Sequence, residues 1–280
     1  MATLSAALQC LHITSPQPAR LAEFYATTYG MTSTEQGGVW RCTAPEREVA
    51  FSAGPVNQLR CALFRFETVA AWAAFQRRVS ALEKVALPAD CGLAADALAV
   101  RDPDGNLIAF ERPAAAVDDG GMRASSAGLP AQLQHFAFRT QQIARMLAFY
   151  EDLLGFVVSD KVVDTDGGLR ACFLRVNTLH HALALFNAPV TCYDHQSFEA
   201  PDWARLQQWA DRMGSLKTPI VWGVGRHGPG NDVFFMVRDP DGNLAEISSE
   251  IEACAEDRPA GEWPHEERTL NLWGQAIMRS

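Results

Sequence analysis

An α+β fold of four strand–helix–strand units, two in each half of the chain, follows from three features of the sequence. The octapeptide VRDPDGNL is written twice, at Val100–Leu107 and at Val237–Leu244. Upstream of each copy, Ala19–Met31 (ARLAEFYATTYGM) is echoed by Ala144–Phe156 (ARMLAFYEDLLGF), in the same order. Two echoes in one order mean two related halves. Between them, Arg112–Ala131 is rich in Ala, Gly, Ser, Pro and Asp and poor in large apolar residues, the composition of a linker. The expected domains are therefore residues 1–112 and 132–280, joined by 113–131.

Each half has the same grammar. Strands at Leu8–Ile13 and Leu133–Phe138 lead into helices at Pro18–Tyr29 and Ile143–Leu154. Gly30 and Gly155 follow these helices, where glycine suits a left-handed cap. A second unit starts in each half, with a strand at Leu59–Phe66 and a helix at Val69–Leu82, then a strand at Tyr193–Glu199 and a helix at Trp203–Met213. Each half closes on Asp-Pro-Asp-Gly-Asn, a turn between strands in which Pro presets φ and Gly permits positive φ. The helices are expected to cover one side of each sheet and to leave the other side lining a cavity.

Composition narrows the functional classes. The 280 residues have 48% hydrophobic content, enough for a proper core, and a net charge of -9. An acidic chain without a basic stripe is a poor nucleic-acid ligand, because phosphate contacts need clustered Lys and Arg. No apolar run is long enough for a transmembrane helix. Met1–Ile13 reads as the first strand and not as a leader, since the first Arg is Arg20. Seven scattered cysteines with no CxxC pair suggest reduced thiols and a cytoplasmic protein.

Five of the seven histidines fall between residues 135 and 227. Strand alternation puts His135 on one face with Leu133 and Ala137, opposite Gln134, Phe136 and Phe138. It groups His195 with Tyr193 and Ser197, and Glu246 with Leu244 and Ser248. His135 and His195 occupy equivalent first strands of the third and fourth units, and Glu246 lies on the last strand. Two imidazoles and a carboxylate on one face make the donor set of non-haem iron(II) oxygenases. A strand histidine is more often structural, and a Glu after such a turn is more often a solvated strand end. The residues alone leave both readings open.

The chain resembles the vicinal oxygen chelate superfamily, and within it the two-domain type I extradiol dioxygenases (dihydroxybiphenyl dioxygenase-like, with the glyoxalase/bleomycin resistance fold). The resemblance rests on the doubled FY…G helices, the doubled DPDGN turns and Trp263-Pro-His-Glu…Leu270-Asn-Leu-Trp-Gly274. It also rests on His135 in LQHFAF, His195 in DHQSFE, Glu246 in NLAEI, His181 in HHALALF and His227 in GRHGPGND. It implies four βαβββ modules paired into two domains, each an incomplete β-barrel with helices outside. It implies Fe(II) held by His135, His195 and Glu246, with His181 as acid–base group and His227 bonded to substrate. The implied reactants are a catechol-like aromatic diol and dioxygen, in a homo-oligomer with no nucleic-acid or membrane partner.

Two departures qualify the match. In the first half Cys10 stands opposite His135 and Ala109 opposite Glu246, so no iron is expected there. Where the family commonly has a tyrosine before the second DPDG turn, this chain has Met236. Alternation puts Met236 and Phe234 on the cavity face, and both are expected to line the substrate. His180 is expected to point away from His181, on the opposite strand face. The rival readings are a glyoxalase-like metal-dependent isomerase, hydrolase or lyase on the same scaffold, and a non-catalytic binding protein.

Overall fold

The computed structural model describes residues 3–114 and 128–279. Most of the expected linker, residues 115–127, lies outside the described residues. The first half runs β1 (Ala6–Ser15), α1 (Pro18–Tyr29), β2 (Thr32–Gln36), β3 (Val39–Ala44) and β4 (Arg47–Ala53). It continues through β5 (Gln58–Phe66), α2 (Val69–Arg78), β6 (Leu98–Arg101) and β7 (Leu107–Glu111). The second half repeats this as β8 (Gln132–Thr140), α3 (Ile143–Ala148), β9 (Val157–Val163), β10 (Leu169–Arg175) and β11 (Leu183–Asn187). There follow β12 (Cys192–Glu199), α4 (Trp203–Ser215), β13 (Ile220–Arg226), β14 (Val233–Arg238) and β15 (Leu244–Ser249). The chain ends with β16 (Gly261–Pro264) and α5 (Glu267–Leu270).

The doubling written in the sequence is a doubling of topology. The first sheet is ordered β2-β3-β4-β1-β5-β7-β6, and the second β13-β14-β15-β12-β8-β11-β10-β9-β16. Reversed, the first order matches the inner seven strands of the second. β1–β4 and β8–β11 are both parallel pairs, and β1–β5 and β8–β12 both antiparallel. Neither sheet closes on itself, so each curves around a cavity and leaves it open.

Local chemistry sets the element ends. Thr68 and Asp202 cap α2 and α4 by accepting from the N–H groups of Ala71 and Arg205. Gly30 and Gly155 take the left-handed conformation at φ 62° and 86°. The two DPDGN turns are also alike in detail. Asp102 Oδ1 accepts from the N–H groups of Asp104 and Asn106, and Asp239 Oδ1 from those of Asp241 and Asn243. Gly105 and Gly242 both sit at φ 88°.

The helices lie on the outer face of each sheet, and these faces meet. A single apolar core takes Tyr25 and Tyr29 of α1, Phe75 of α2, Met146 of α3 and Trp209 of α4 together with residues of both sheets. Tyr29 packs on Phe198 at 5.1 Å between ring centres, and Phe64 on Phe156 at 5.5 Å. The cavity faces of the two sheets point away from this shared core.

Several expectations need correction. α2 ends at Arg78, four residues short of Leu82. The expected helix Ile143–Leu154 is α-helical only to Ala148 and continues as a π-helical segment over Phe149–Leu154. Alternation fails at two bulges in the β8–β12 ladder, at Gln134 and Asp194. Each bulge inserts one residue and reverses the faces beyond it. Leu133 and Tyr193 therefore join the shared core and do not sit on the cavity face with the histidines.

Candidate metal centre

Three adjacent strands build the cluster. β12 runs between β8 and β15, and Ser197 on it stands opposite both His135 and Glu246. His195 lies one alternation away on the same face. Its Nε2 is 3.3 Å from His135 Nε2 and 3.8 Å from Glu246 Oε2, while His135 Nε2 is 4.0 Å from that oxygen. All three side chains are buried.

The neighbours fix the tautomers. Gln134 donates through Nε2 to the His181 carbonyl, so its Oε1 is turned to accept from His135 Nδ1. Asp194 Oδ2 accepts from His195 Nδ1 at 2.7 Å. With both protons on Nδ1, each Nε2 presents a lone pair. Two lone pairs cannot hydrogen-bond to one another, so the short Nε2–Nε2 approach is no hydrogen bond. Neither oxygen of Glu246 has a hydrogen-bond partner. Three acceptors with no donor converge in a buried space, which is costly unless a cation sits among them. The donor atoms lie within 4.8 Å of one another, and two imidazoles with one carboxylate suit a divalent transition metal.

Burial sets the electrostatics. It pushes the Glu246 carboxyl well above the usual range, with Asp232 adding to the shift. It pushes His135 and His181 well below the ordinary imidazole value. Asp194 behaves differently. Against burial, the Arg279 guanidinium, the His195 ring and Arg139 hold its carboxyl far below the usual range. Arg279 Nη2 and Nε reach Asp194 Oδ2 at 3.0 and 3.1 Å, and Arg139 Nε donates to Oδ1 at 2.7 Å. Asp194 is thus a fixed anion behind His195. Asp232, near His227 and Glu246, is a second buried carboxyl that burial drives up to about 8.

The cluster opens into a cavity of about 380 Å³. Phe173, Phe186, Trp222, Met236 and Leu270 make most of its wall apolar, and His181, His227 and Arg279 add polar groups. His227 donates from Nδ1 to the Leu270 carbonyl at 2.5 Å, which leaves an Nε2 lone pair. Burial lowers its pKa to about 3, so the ring is neutral near pH 7. His181 lies 4.3 Å from His135, ring centre to ring centre. His180 Nε2 lies 3.1 Å from Asp160 Oδ2 without hydrogen-bond alignment, and the Nδ1 atoms of His180 and His181 are 3.0 Å apart, one donating to the other. With the proton of that contact on His181 Nδ1, the His181 ring would offer a lone pair at Nε2.

The structure brings His135, His181, His195, His227, Glu246 and Met236 to one place. Phe234 is not among the lining side chains; its ring stacks on His227 at 3.7 Å and 6° and supports it from behind. His180 does not point away. His180 and His181 precede β11 in an irregular stretch to which strand alternation does not apply, and both rings are buried. The residues that sequence reasoning missed are Gln134, Asp194, Asp160 and Arg279. Gln134 and Asp194 adjoin the histidines they orient, but alternation assigns them to the other face. Arg279 comes from the far end of the chain, and no local pattern marks it. The WPHE…LNLWG stretch does have a structural reading. Trp263 Nε1 donates to Asp160 at 2.9 Å, and Leu270 supplies the carbonyl that orients His227.

Residues 132–247 match the model of the Glyoxalase/Bleomycin resistance protein/Dioxygenase superfamily. Metapyrocatechase 2 of Cupriavidus necator is 30% identical over 195 residues, 63% of this chain and 60% of that protein. The chain thus spans about three-fifths of that relative's length. The Mn(II)-bound glyoxalase from Novosphingobium aromaticivorans shares the fold with a TM-score of 0.80 at 21% identity, covering 100% of this chain and 93% of the other. Homoprotocatechuate 2,3-dioxygenase from Arthrobacter globiformis shares it with a TM-score of 0.79 at 24% identity, covering 99% and 91%.

Proposed function

We propose that this member of the vicinal oxygen chelate superfamily is an extradiol dioxygenase that opens an aromatic vicinal diol at a mononuclear iron(II) held by His135, His195 and Glu246. The observation that carries the reading is the convergence of two Nε2 lone pairs and an unpartnered carboxylate beside two further neutral histidines on an apolar cavity. Similarity to Metapyrocatechase 2 supports the same reaction class.

Iron(II) held by His135, His195 and Glu246 would supply a Lewis-acid site for the diol and dioxygen and a path for electrons between them. The protein's part is positioning and proton handling. Asp194 and Gln134 hold the two imidazoles in the tautomer that offers Nε2. His227 accepts a hydrogen bond at Nε2 from a diol hydroxyl. His181 takes a proton at Nε2 and returns it, and His180 with Asp160 stabilises the charge that this creates. Against burial, which raises it, His180, Trp263 and Arg258 keep the Asp160 carboxyl below its ordinary value, so it remains an anion for that task. Phe173, Phe186 and Trp222 exclude water and pack on the ring.

Met236 sets the substrate class. It stands opposite Glu246 in the β14–β15 ladder and lines the cavity, where it cannot donate a hydrogen bond. The favoured diol carries an apolar substituent. Anaerobic loading with ferrous iron, followed by oxygen-electrode assays over a panel of catechols, tests the assignment. It predicts one dioxygen consumed per diol, faster with alkyl- or aryl-substituted catechols, and a shift towards plain catechol in Met236→Tyr. No oxygen uptake with any diol would reject it. Turnover of a metal-dependent isomerase substrate under strict anaerobiosis would move the assignment to a glyoxalase-type enzyme.

A further inference from the structure

The first half contains a counterpart of the metal centre built from different residues. In the β1–β5 ladder Gln9 is bulged, Cys10 stands opposite Leu63 and His12 opposite Cys61. In the β8–β12 ladder Gln134 is bulged, His135 stands opposite Ser197 and Ala137 opposite His195. Cys10 and Cys61 therefore occupy the places of His135 and His195. Ala109, opposite Leu63, occupies that of Glu246. A third thiol, Cys91, is brought in by the short turn Ala89–Cys91. A second cavity is lined by Cys10, His12, Cys61 and Cys91, together with Arg41 and Glu48.

Two of these thiols are held together. The residues preceding them form a bidentate ion pair, with Arg60 Nε 2.7 Å from Asp90 Oδ2 and Arg60 Nη2 2.9 Å from Asp90 Oδ1. Behind this clamp Cys61 and Cys91 line one cavity, each the chief influence on the other's thiol, and the Cys61 thiol donates to the Ala62 carbonyl at 3.7 Å. His12 is anchored through Nε2 to Ser52 Oγ at 2.8 Å and leaves Nδ1 buried without an aligned partner. The pair is asymmetric. Cys61, and after it His12, hold the Cys91 thiol below its ordinary value against burial. Contact with Cys91, and burial, push Cys61 up. Cys91, which lines the cavity beside His12 and whose thiol is lowered, is the better disposed of the two to be the nucleophile. Among the described residues these side chains do not bring three ligand atoms within 4.8 Å of one another, as the His135 cluster does. That favours chemistry between two sulfurs over a cation site.

We propose that Cys61 and Cys91 form a reversible dithiol–disulfide pair, oxidised by a small hydroperoxide that enters the first-half cavity. The Cys91 thiolate attacks the peroxide and breaks the O–O bond. This gives a sulfenic acid at Cys91 and an alcohol or water, which takes up the proton. The Cys61 sulfur then attacks the Cys91 sulfur and expels hydroxide, which leaves as water with the Cys61 proton. Two thiols and one hydroperoxide become one disulfide, one alcohol or water, and one water; the sulfurs give up two electrons and the O–O bond accepts them. The product links β5 to the segment that follows α2. Cys42 and Cys172, which burial pushes up, serve as internal controls.

The test is a hydrogen peroxide titration of the full chain, freed of metal by a chelator, followed by alkylation and peptide mass mapping. Cys61 and Cys91 should leave the alkylated pool together, about tenfold or more ahead of Cys42 and Cys172. The intact mass should fall by two hydrogens and be restored by a dithiol reductant. In Cys61→Ser, Cys91 should instead accumulate a dimedone-trapped sulfenic acid; if that variant does not fold, the wild-type peptide map decides alone. Equal reactivity of all four cysteines, or a disulfide between other residues, would overturn the proposal. So would cadmium(II) that protects Cys10, Cys61 and Cys91 together with a thiolate charge-transfer band while peroxide gives no disulfide.

Discussion

Asp194 answers to three cations or donors at once: the His195 ring, Arg139 and Arg279. Its negative charge polarises His195 and fixes the ring. Asp194→Asn removes that charge at nearly constant shape, and an amide can present its N–H to the ring in place of an acceptor. The expected result is a ten- to hundredfold loss of metal affinity with the fold retained, read by competition with a chromophoric chelator. His181→Phe should keep metal and diol binding and lower kcat by about 10²–10⁴-fold, read in oxygen-uptake kinetics. His180→Ala, harmless if strand alternation held, should also lower kcat, because His181 Nδ1 loses its hydrogen-bond partner and Asp160 its neighbour. At this scale much of the site is legible in the sequence. His135, His195, Glu246 and Met236 lie on strands whose alternation points the right way. Alternation misplaces Leu133, Tyr193 and His180 for one physical reason: a period of two is lost wherever a bulge or an irregular stretch interrupts the ladder.

Among the elements, the helix starts and stops follow from short-range chemistry, and this is why they could be read directly. Pro18 sits in the first turn of α1, Gly30 ends it, and Asp202 caps α4. Gly30 is required twice over. It has positive φ, and a Cβ added there would lie 3.3 Å from the Gly128 backbone. Gly30→Ala should therefore destabilise the protein by about 1–2 kcal/mol, seen as a lower urea midpoint at unchanged slope. An unchanged midpoint would mean that the α1 end relaxes freely. The π-helical turn after Ala148 has no such signal. Within it Tyr150 reaches into the other half, where its hydroxyl donates to Asp102 Oδ2 at 2.9 Å. A local pattern cannot announce a partner that lies far away in sequence.

The whole molecule is where the sequence is least explicit. The doubled motifs reveal two halves but not that their helix-covered faces share a core. Phe64 touches Phe110 in its own half and Phe136 and Phe156 in the other. Arg212 of α4 donates to the carbonyls of Thr27 and Thr28 at the end of α1. Phe64→Ala should cost about 3–5 kcal/mol, and tryptophan fluorescence and far-UV circular dichroism should still report one coincident transition. Separate transitions would mean that the halves fold independently. The same arrangement turns both cavities outward and lets the two copies of one architecture diverge, with His135 and His195 lining one where Cys10 and Cys61 line the other.

On the proposed function, the second copy alone holds one catalytic iron, through His135, His195 and Glu246. Metal analysis of the ferrous-loaded protein beside His195→Ala and Glu246→Ala tests it most directly. One iron per wild-type chain, with most of it lost in each folded variant, is the predicted result. Two irons per wild-type chain, or full retention in both variants, would contradict it.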